Sequence, residues 1–223
     1  MIELKGVSKT LSGERIFEKI SFRVGNGECV AVICEGEEQK ILMSSILSGS
    51  VGVSEGSVLV GGYDLSKHKL KASRQIGVVP AEGALYESMT VGEFLTFVAE
   101  AKEIVYERIN AKIRDAITFC ALETYKDHLI SALSHSVRRR VLLAQAILTE
   151  VSVLIVCESA AELDTQSKKI FSNAVITALS RGASVVLLCS EDSFLRGLAS
   201  AAYKIDGTEL CPIEASEEEG EKE

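Results

Sequence analysis

AVICEGEEQKILMSSILSG, residues 31–49, runs as an apolar strand into a short loop, a lysine and an apolar helix. That order is the frame of a phosphate-binding strand, loop and helix. A working loop of this kind reads G-x-x-x-x-G-K-[ST]: the glycines let backbone N–H groups close around phosphates, the lysine reaches the terminal ones, and the hydroxyl holds magnesium. Here Lys40 alone keeps its place. Cys34 and Gln39 stand at the glycine positions, Ile41 stands at the hydroxyl position, and Glu35, Glu37 and Glu38 line the loop. One carboxylate roughly 5 Å from a phosphate charge costs about 3 kcal/mol at an effective dielectric near 20. Three of them argue against a bound triphosphate, and Lys40 is expected to pair with Glu37 or Glu38 at the loop surface.

The 223 residues make one large domain or a domain with an inserted subdomain, long enough to bury a full core, with the apolar (47%) and charged (25%) content expected of a soluble globular protein. No apolar run approaches the roughly 20 residues that span a bilayer. The start, MIELKGVSK, alternates like a strand and does not resemble a signal peptide, so a cytoplasmic chain is expected. Six Glu and one Lys between Glu214 and Glu223 supply −5 of the net charge of −8, leaving −3 for the rest. That balance favours no nucleic acid partner. The stretch from 211 to 223 is expected to be a disordered acidic tail. Cysteines 29, 34, 120, 157, 189 and 211 form no C-x-x-C pair and mostly sit in apolar runs, so they read as small buried hydrophobes. No metal site is expected, and His68, His128 and His135, the last placed in a loop, suggest no ligand set.

Beyond the opening stretch, IELKGV, KISFRV, ECVAVIC, GSVLVGGYDL and RQIGVVP read as strands separated by turns such as Ser12-Gly13 and Gly25-Asn26-Gly27. The pattern then becomes helical. Thr90 and Glu93 have capping-box spacing, and Ile109, Ile113, Ile117 and Cys120 form a stripe at helical steps. A third helix continues through Val137, Val141 and Leu148, with Arg138, Arg139 and Arg140 read as its solvated face. The last third alternates strand and helix: VSVLIVC, SKKIFSNAVITAL, ASVVLLCS, SFLRGLA and AAYKID. Nearly continuous apolar strands alternating with helices predict a parallel sheet covered on both faces.

This order of elements, with ISFRVGNGE before the loop strand, MTVGEFL, LSHSVRRRVLLAQAIL, VLIVCESAAELD and VVLLCSED at the junctions, resembles the ATP-binding-cassette ATPase domain of ABC transporters. The resemblance covers residues 1–210. It implies an α/β fold: a P-loop NTPase, RecA-like core with an antiparallel β subdomain and an inserted α-helical subdomain over about 88–148. The family's chemical positions fall on other residues. The adenine-stacking aromatic falls at Leu11 or Thr10, the metal-sensing glutamine at Ala81, the magnesium carboxylate at Cys157, and the switch histidine at Glu191. The glycine signature reads Leu133-Ser134-His135-Ser136-Val137. In register remain Lys40 and Ser134 as remnants of nucleotide binding, Glu158 at the general-base position, and Asp164 at the dimer-contact loop, where it can equally cap the next helix.

These departures predict an ABC transporter ATP-binding-subunit-like protein that does not hydrolyse ATP and needs no cofactor. Its expected role is a scaffold or docking subunit, paired as homodimer or heterodimer with an ABC ATPase subunit and held at the inner membrane face by a permease. The permease's coupling helix would enter the groove between the core and the helical subdomain, around Ala81 to Met89 and the first inserted helix. The alternatives are a weak ATPase using ATP and magnesium through Lys40 and Glu158, and a free-standing regulatory module on the same fold.

Overall fold

The computed structural model describes residues 1–81, 85–158 and 162–213. Glu82 to Ala84 of the expected groove, Ser159 to Ala161 and the tail 214–223 lie outside the described residues. The strands are β1 (Ile2–Leu11), β2 (Glu14–Val24), β3 (Cys29–Ile33), β4 (Glu55–Val60), β5 (Tyr63–Asp64), β6 (Ile76–Val79), β7 (Val153–Cys157), β8 (Ser184–Cys189), β9 (Ala201–Asp206) and β10 (Glu209–Ile213). The helices are α1 (Glu37–Leu47), α2 (Lys69–Ser73), α3 (Val91–Ala101), α4 (Tyr106–Phe119), α5 (His135–Ile147) and α6 (Thr165–Ser180).

Among the described residues the strands form two sheets. An antiparallel sheet has the order β2-β1-β4-β5, and a larger one has the order β10-β9-β3-β8-β7-β6. In the larger sheet β9, β3, β8, β7 and β6 run parallel, and β10 turns back against β9. Successive side chains of a strand face opposite ways, so a strand buried on both faces divides its residues between two cores. Cys29, Ala31 and Ile33 of β3 join the core under α3 to α6. Val30, Val32 and Cys34 join the other core, with Met43, Ile46 and Leu47 of α1 and the inner face of the antiparallel sheet. The layers are therefore antiparallel sheet, α1, parallel sheet, and helices.

Local chemistry sets the joints. Ser12 and Gly13 both have positive φ, which closes β1 onto β2 as a tight hairpin. Thr90 and Glu93 exchange the reciprocal bonds of a capping box at the start of α3. Gly207-Thr208, with Gly207 at φ +57, turns β9 into β10. Regular structure thus continues through Cys211–Ile213, past the expected tail boundary at 210, because a hairpin partner strand follows that turn. The segment SFLRGLA forms only a 3-10 turn, Arg196–Leu198, and no helix. Leu195 N–H donates to Ser193 Oγ at 3.1 Å, a local turn that competes with helical pairing.

Candidate functional site

The parallel strands end together at one edge of the large sheet. Their C-terminal ends deliver Cys34 and the following loop from β3, Pro80 and Ala81 from β6, Glu158 from β7, and Ser190 to Ser193 from β8. Open α/β sheets place ligand sites at such an edge.

Lys40 lies in the first turn of α1 and is only 5% exposed. Its Nζ forms an ion pair with Glu37 Oε1 and donates to the backbone oxygen of Glu158 at 3.3 Å. The pairing with Glu37 is as the sequence implies, but its lysine end is buried while Glu37 stays partly exposed. Two of the three ammonium donors are thereby engaged within the chain. Gln39 closes the mouth of the loop: its Oε1 accepts from Glu35 N–H at 3.2 Å, and its Nε2 donates to Gly207 O at 3.2 Å. Glu37 and Glu38 occupy the first turn of α1, where the helix dipole favours negative charge, so the anionic role at this N-terminus is taken by side chains.

Glu158 sits beside Lys40 through its backbone. Its side chain accepts from Ser193 Oγ at 3.0 Å through Oε1, while Oε2 is buried with no partner. Burial holds this carboxyl above its ordinary value of 4.5. Ionisation therefore costs more in the folded chain than in the unfolded one, and stability falls as pH rises through the folded-state pKa. Glu158→Gln should raise the melting temperature by about 2–4 °C near pH 7. The gain should vanish near pH 4, where the carboxyl is already neutral. Equal shifts at both pH values would refute a charged, strained Glu158.

The largest departure from the sequence reading concerns the arginines of α5. Arg138 alone lies on the partly exposed side, where Nη1 donates to Glu87 Oε1 at 2.9 Å. Arg139 and Arg140 are buried, at 3% and 2% exposure. Arg140 donates to Ala121 O at 2.9 Å just past the end of α4, and its guanidinium lies 5.6 Å over the Tyr125 ring. Arg139 reaches the sheet edge. Its Nη1 donates to Pro80 O and, at 2.7 Å, to Ala81 O; its Nη2 donates to Cys157 O at 2.7 Å. The guanidinium lies 5.6 Å over Phe171, and Nε is buried without a partner. The signal was present in the sequence. Val141, Leu142, Leu143 and Ala144 are four consecutive apolar residues, which at about 100° per residue sweep the whole circumference of a helix and leave little solvated face.

The remaining candidates form a second group. Ser134 caps α5 by accepting from Val137 N–H at 3.4 Å, and Asp164 caps α6 by accepting from Ser167 N–H at 2.7 Å. Asp164 N–H donates to Ser136 Oγ at 3.0 Å, which joins the two helix starts. His135 is the first residue of α5 and not a loop residue. Glu191 accepts from Lys204 Nζ at 2.9 Å, so its carboxylate is held below the usual range by that partner.

Cys157 and Cys34 are buried, and burial pushes their thiols up to about 11 and about 12. They stay protonated near pH 7 and are soft, neutral groups where magnesium needs hard oxygen ligands. Among the described residues no group of three or more His, Cys, Asp or Glu side chains could hold a metal ion. With Lys40 paired, a methyl group at Ala81 and a thiol at Cys157, these residues fit poorly as a donor set for a magnesium triphosphate. A cavity of about 760 Å³ lies at the opposite end of the sheet, between α4 and α6, and contains none of the residues above.

The sequence model of the family described as ABC transporter matches residues 17–161. Relatives include the linearmycin resistance ATP-binding protein LnrL of Bacillus subtilis, 27% identical over 168 residues, which are 75% of this chain and 54% of LnrL. The sulfate/thiosulfate import ATP-binding protein CysA of Bordetella pertussis is 30% identical over 172 residues, 75% of this chain and 48% of CysA. The chain spans about half the length of the curated relatives it matches. An ATP-binding subunit of an ABC transporter superposes with a TM-score of 0.84 at 20% identity, covering 94% of this chain and 88% of the other. A dimeric ATP-binding cassette in a post-hydrolysis state, bound to ADP and Pi, gives 0.83 at 17%, covering 94% and 96%. The fold is that of the ATPase cassettes, a P-loop NTPase core with an antiparallel β sheet and added helices.

Proposed function

We propose, from the fact that this chain belongs to the ABC transporter family, that it is an ATP-binding-subunit-like protein that does not hydrolyse ATP and serves as a scaffold or docking subunit for a membrane permease. The observation that carries the proposal is the occupation of Lys40 by Glu37 and by the Glu158 backbone. A phosphate approaching Lys40 must displace a carboxylate already in place. In this reading Ser134 and Asp164 act as helix caps, and Asp164 also supports a dimer contact.

The test is thermal melting of the whole chain with ATP-Mg at millimolar concentration. A ligand at a hundred times its Kd stabilises by about 2.7 kcal/mol, which would move the melting temperature by about 5–10 °C. The expected result is no saturable shift. A rise that is competed by ADP and abolished by Lys40→Ala, together with phosphate release above background, would sink the proposal. It would favour the second reading, a weak ATPase, for which the adjacency of Lys40 and Glu158 is the supporting observation.

The docking half rests on a different surface. Tyr86 and Phe97 are 50% and 42% exposed, and their rings meet edge to face at 5.3 Å between centroids. They offer a rigid aromatic anchor beside the expected groove, a composition favoured where a partner helix is received. No helix among the described residues is long and apolar enough to cross a membrane, so attachment at the inner membrane face is proposed to run through the permease. Tyr86→Ala with Phe97→Ala should abolish copurification with membrane subunits in mild detergent while changing the melting temperature by under about 3 °C. Undiminished copurification would remove this surface from consideration.

A further inference from the structure

We infer that this chain carries its own counter-charges in place of a ligand: the Arg139 guanidinium substitutes for a divalent cation at the ends of β6 and β7, and the Glu37 carboxylate substitutes for a phosphate on Lys40. The inference rests on the reading above and adds a mechanism to it. Three backbone oxygens, those of Pro80, Ala81 and Cys157, converge on one cationic group drawn from α5. Carbonyl oxygens of neighbouring strand ends normally point past one another to solvent or to their own ladders. Here they share a buried positive charge, as they would share a metal ion. The resemblance places two metal-contacting positions of the family at Ala81 and Cys157, and neither side chain offers an oxygen. The charge has moved from a ligand onto the protein, while the backbone around it still supplies acceptors.

The anionic half mirrors this. Lys40, in the first turn of α1, finds its carboxylate three residues earlier in the same turn, where the helix N-terminus also favours negative charge. Gln39 then ties the loop to Gly207 between β9 and β10. Burial pulls the Arg139 guanidinium below its ordinary value, and the Glu158 and Glu37 carboxyls oppose that pull. The consequence is mechanical. The ends of β3, β6 and β7 are held in one arrangement without ligand, so the surface offered to a partner does not depend on nucleotide.

Hydrogen exchange without nucleotide or metal tests the cationic half. In the natural chain the amides of Val79, Ala81, Cys157 and Glu158 should exchange slowly. Arg139→Met, which keeps bulk and removes charge, should speed them at least tenfold, while the hairpin of β1 and β2 stays unchanged. Arg139→Lys should restore protection to within about threefold, because a point charge among carbonyls still attracts them. Arg140→Gln should act near residues 119–122 and leave Val79 and Ala81 alone. Equal protection in the Met and Lys variants would show that only packing matters and would overturn the cationic half. The anionic half is tested by Glu37→Gln with inorganic phosphate at tens of millimolar. Phosphate should raise the melting temperature of this variant by about 2 °C or more and leave the natural chain unmoved. No difference between the two overturns that half, and it decides the whole inference if neither Arg139 variant folds. Neither arm uses nucleotide, so ATP-Mg hydrolysis by the natural chain would sink the non-hydrolysing reading by a separate route, and failure here would leave that reading standing.

Discussion

Arg139→Ala should lower the melting temperature by about 10 °C, whereas Arg138→Ala, one residue earlier on the same helix, should lower it by no more than about 3 °C. The two differ in what they leave behind. Truncating Arg138 frees Glu87 and the backbone oxygens of Leu133 and Ser131, groups at a partly exposed surface that water solvates at modest cost. Truncating Arg139 removes the shared donor of three backbone oxygens at a buried junction and the cation over Phe171. Leaving a buried acceptor unpaired costs about 1–3 kcal/mol, and breaking a buried charge network about 3–5 kcal/mol in all, since the losses do not add. At about 2–4 °C per kcal/mol for a chain of this size, the upper part of that range gives the expected shift. Burial of Arg139 also carries a desolvation cost, and its Nε has no partner, so the net loss is smaller than the sum of its contacts. A melting temperature within 2 °C of the natural chain would mean that water replaces the guanidinium readily, and that the junction is wetter than its burial implies.

The same junction separates what the sequence makes legible from what it hides. The strands β3, β7 and β8 are plain as apolar runs, since burial on both faces demands apolar residues at every position. The start of α3 is plain because a capping box is a local signal. Segment 190–200 is misleading: SFLRGLA carries apolar residues at helical spacing, yet Gly197 and the Ser193 turn hold it to a single 3-10 turn. The end of the chain is misread for a similar reason. ELCPI contains a proline and follows a short turn, so it looks like the start of a tail until its pairing with β9 is seen. A proline is tolerated there because β10 is an edge strand.

At the candidate site the residue identities were legible and the partnerships were not. Lys40, Glu158 and Asp164 stand out by register, but no spacing rule says that Lys40 is buried or that its second contact is a backbone oxygen 118 residues away. Arg139 does not stand out in the sequence, because charged residues on helices are usually solvated. The circumference argument for α5 outweighs that rule, since a helix apolar on all sides must carry its charges inward. Long side chains such as arginine make this possible by running their stems along the core and placing the charge at its rim.

Repairing the loop should restore nucleotide binding without restoring hydrolysis. The repaired chain would carry glycines at positions 34 and 39, neutral residues in place of Glu35, Glu37 and Glu38, and serine in place of Ile41. Each carboxylate removed relieves about 3 kcal/mol of repulsion at roughly 5 Å, before screening. Freeing Lys40 from Glu37 also returns one ammonium donor to the phosphate side. A gain of about a hundredfold or more in affinity for ATP should therefore be visible as a melting shift where the natural chain shows none. Phosphate release should remain at background. The guanidinium of Arg139 still occupies the carbonyls of Ala81 and Cys157, the thiol of Cys157 stays protonated, and Glu191 is still paired with Lys204. Groups that orient a metal and a water act as a unit, so supplying one of them recovers little. If the repaired loop alone gives turnover well above background, the substitutions beyond the loop are tolerated by the chemistry. Arg139 would then be a support for an active site and not the occupant of a silenced one.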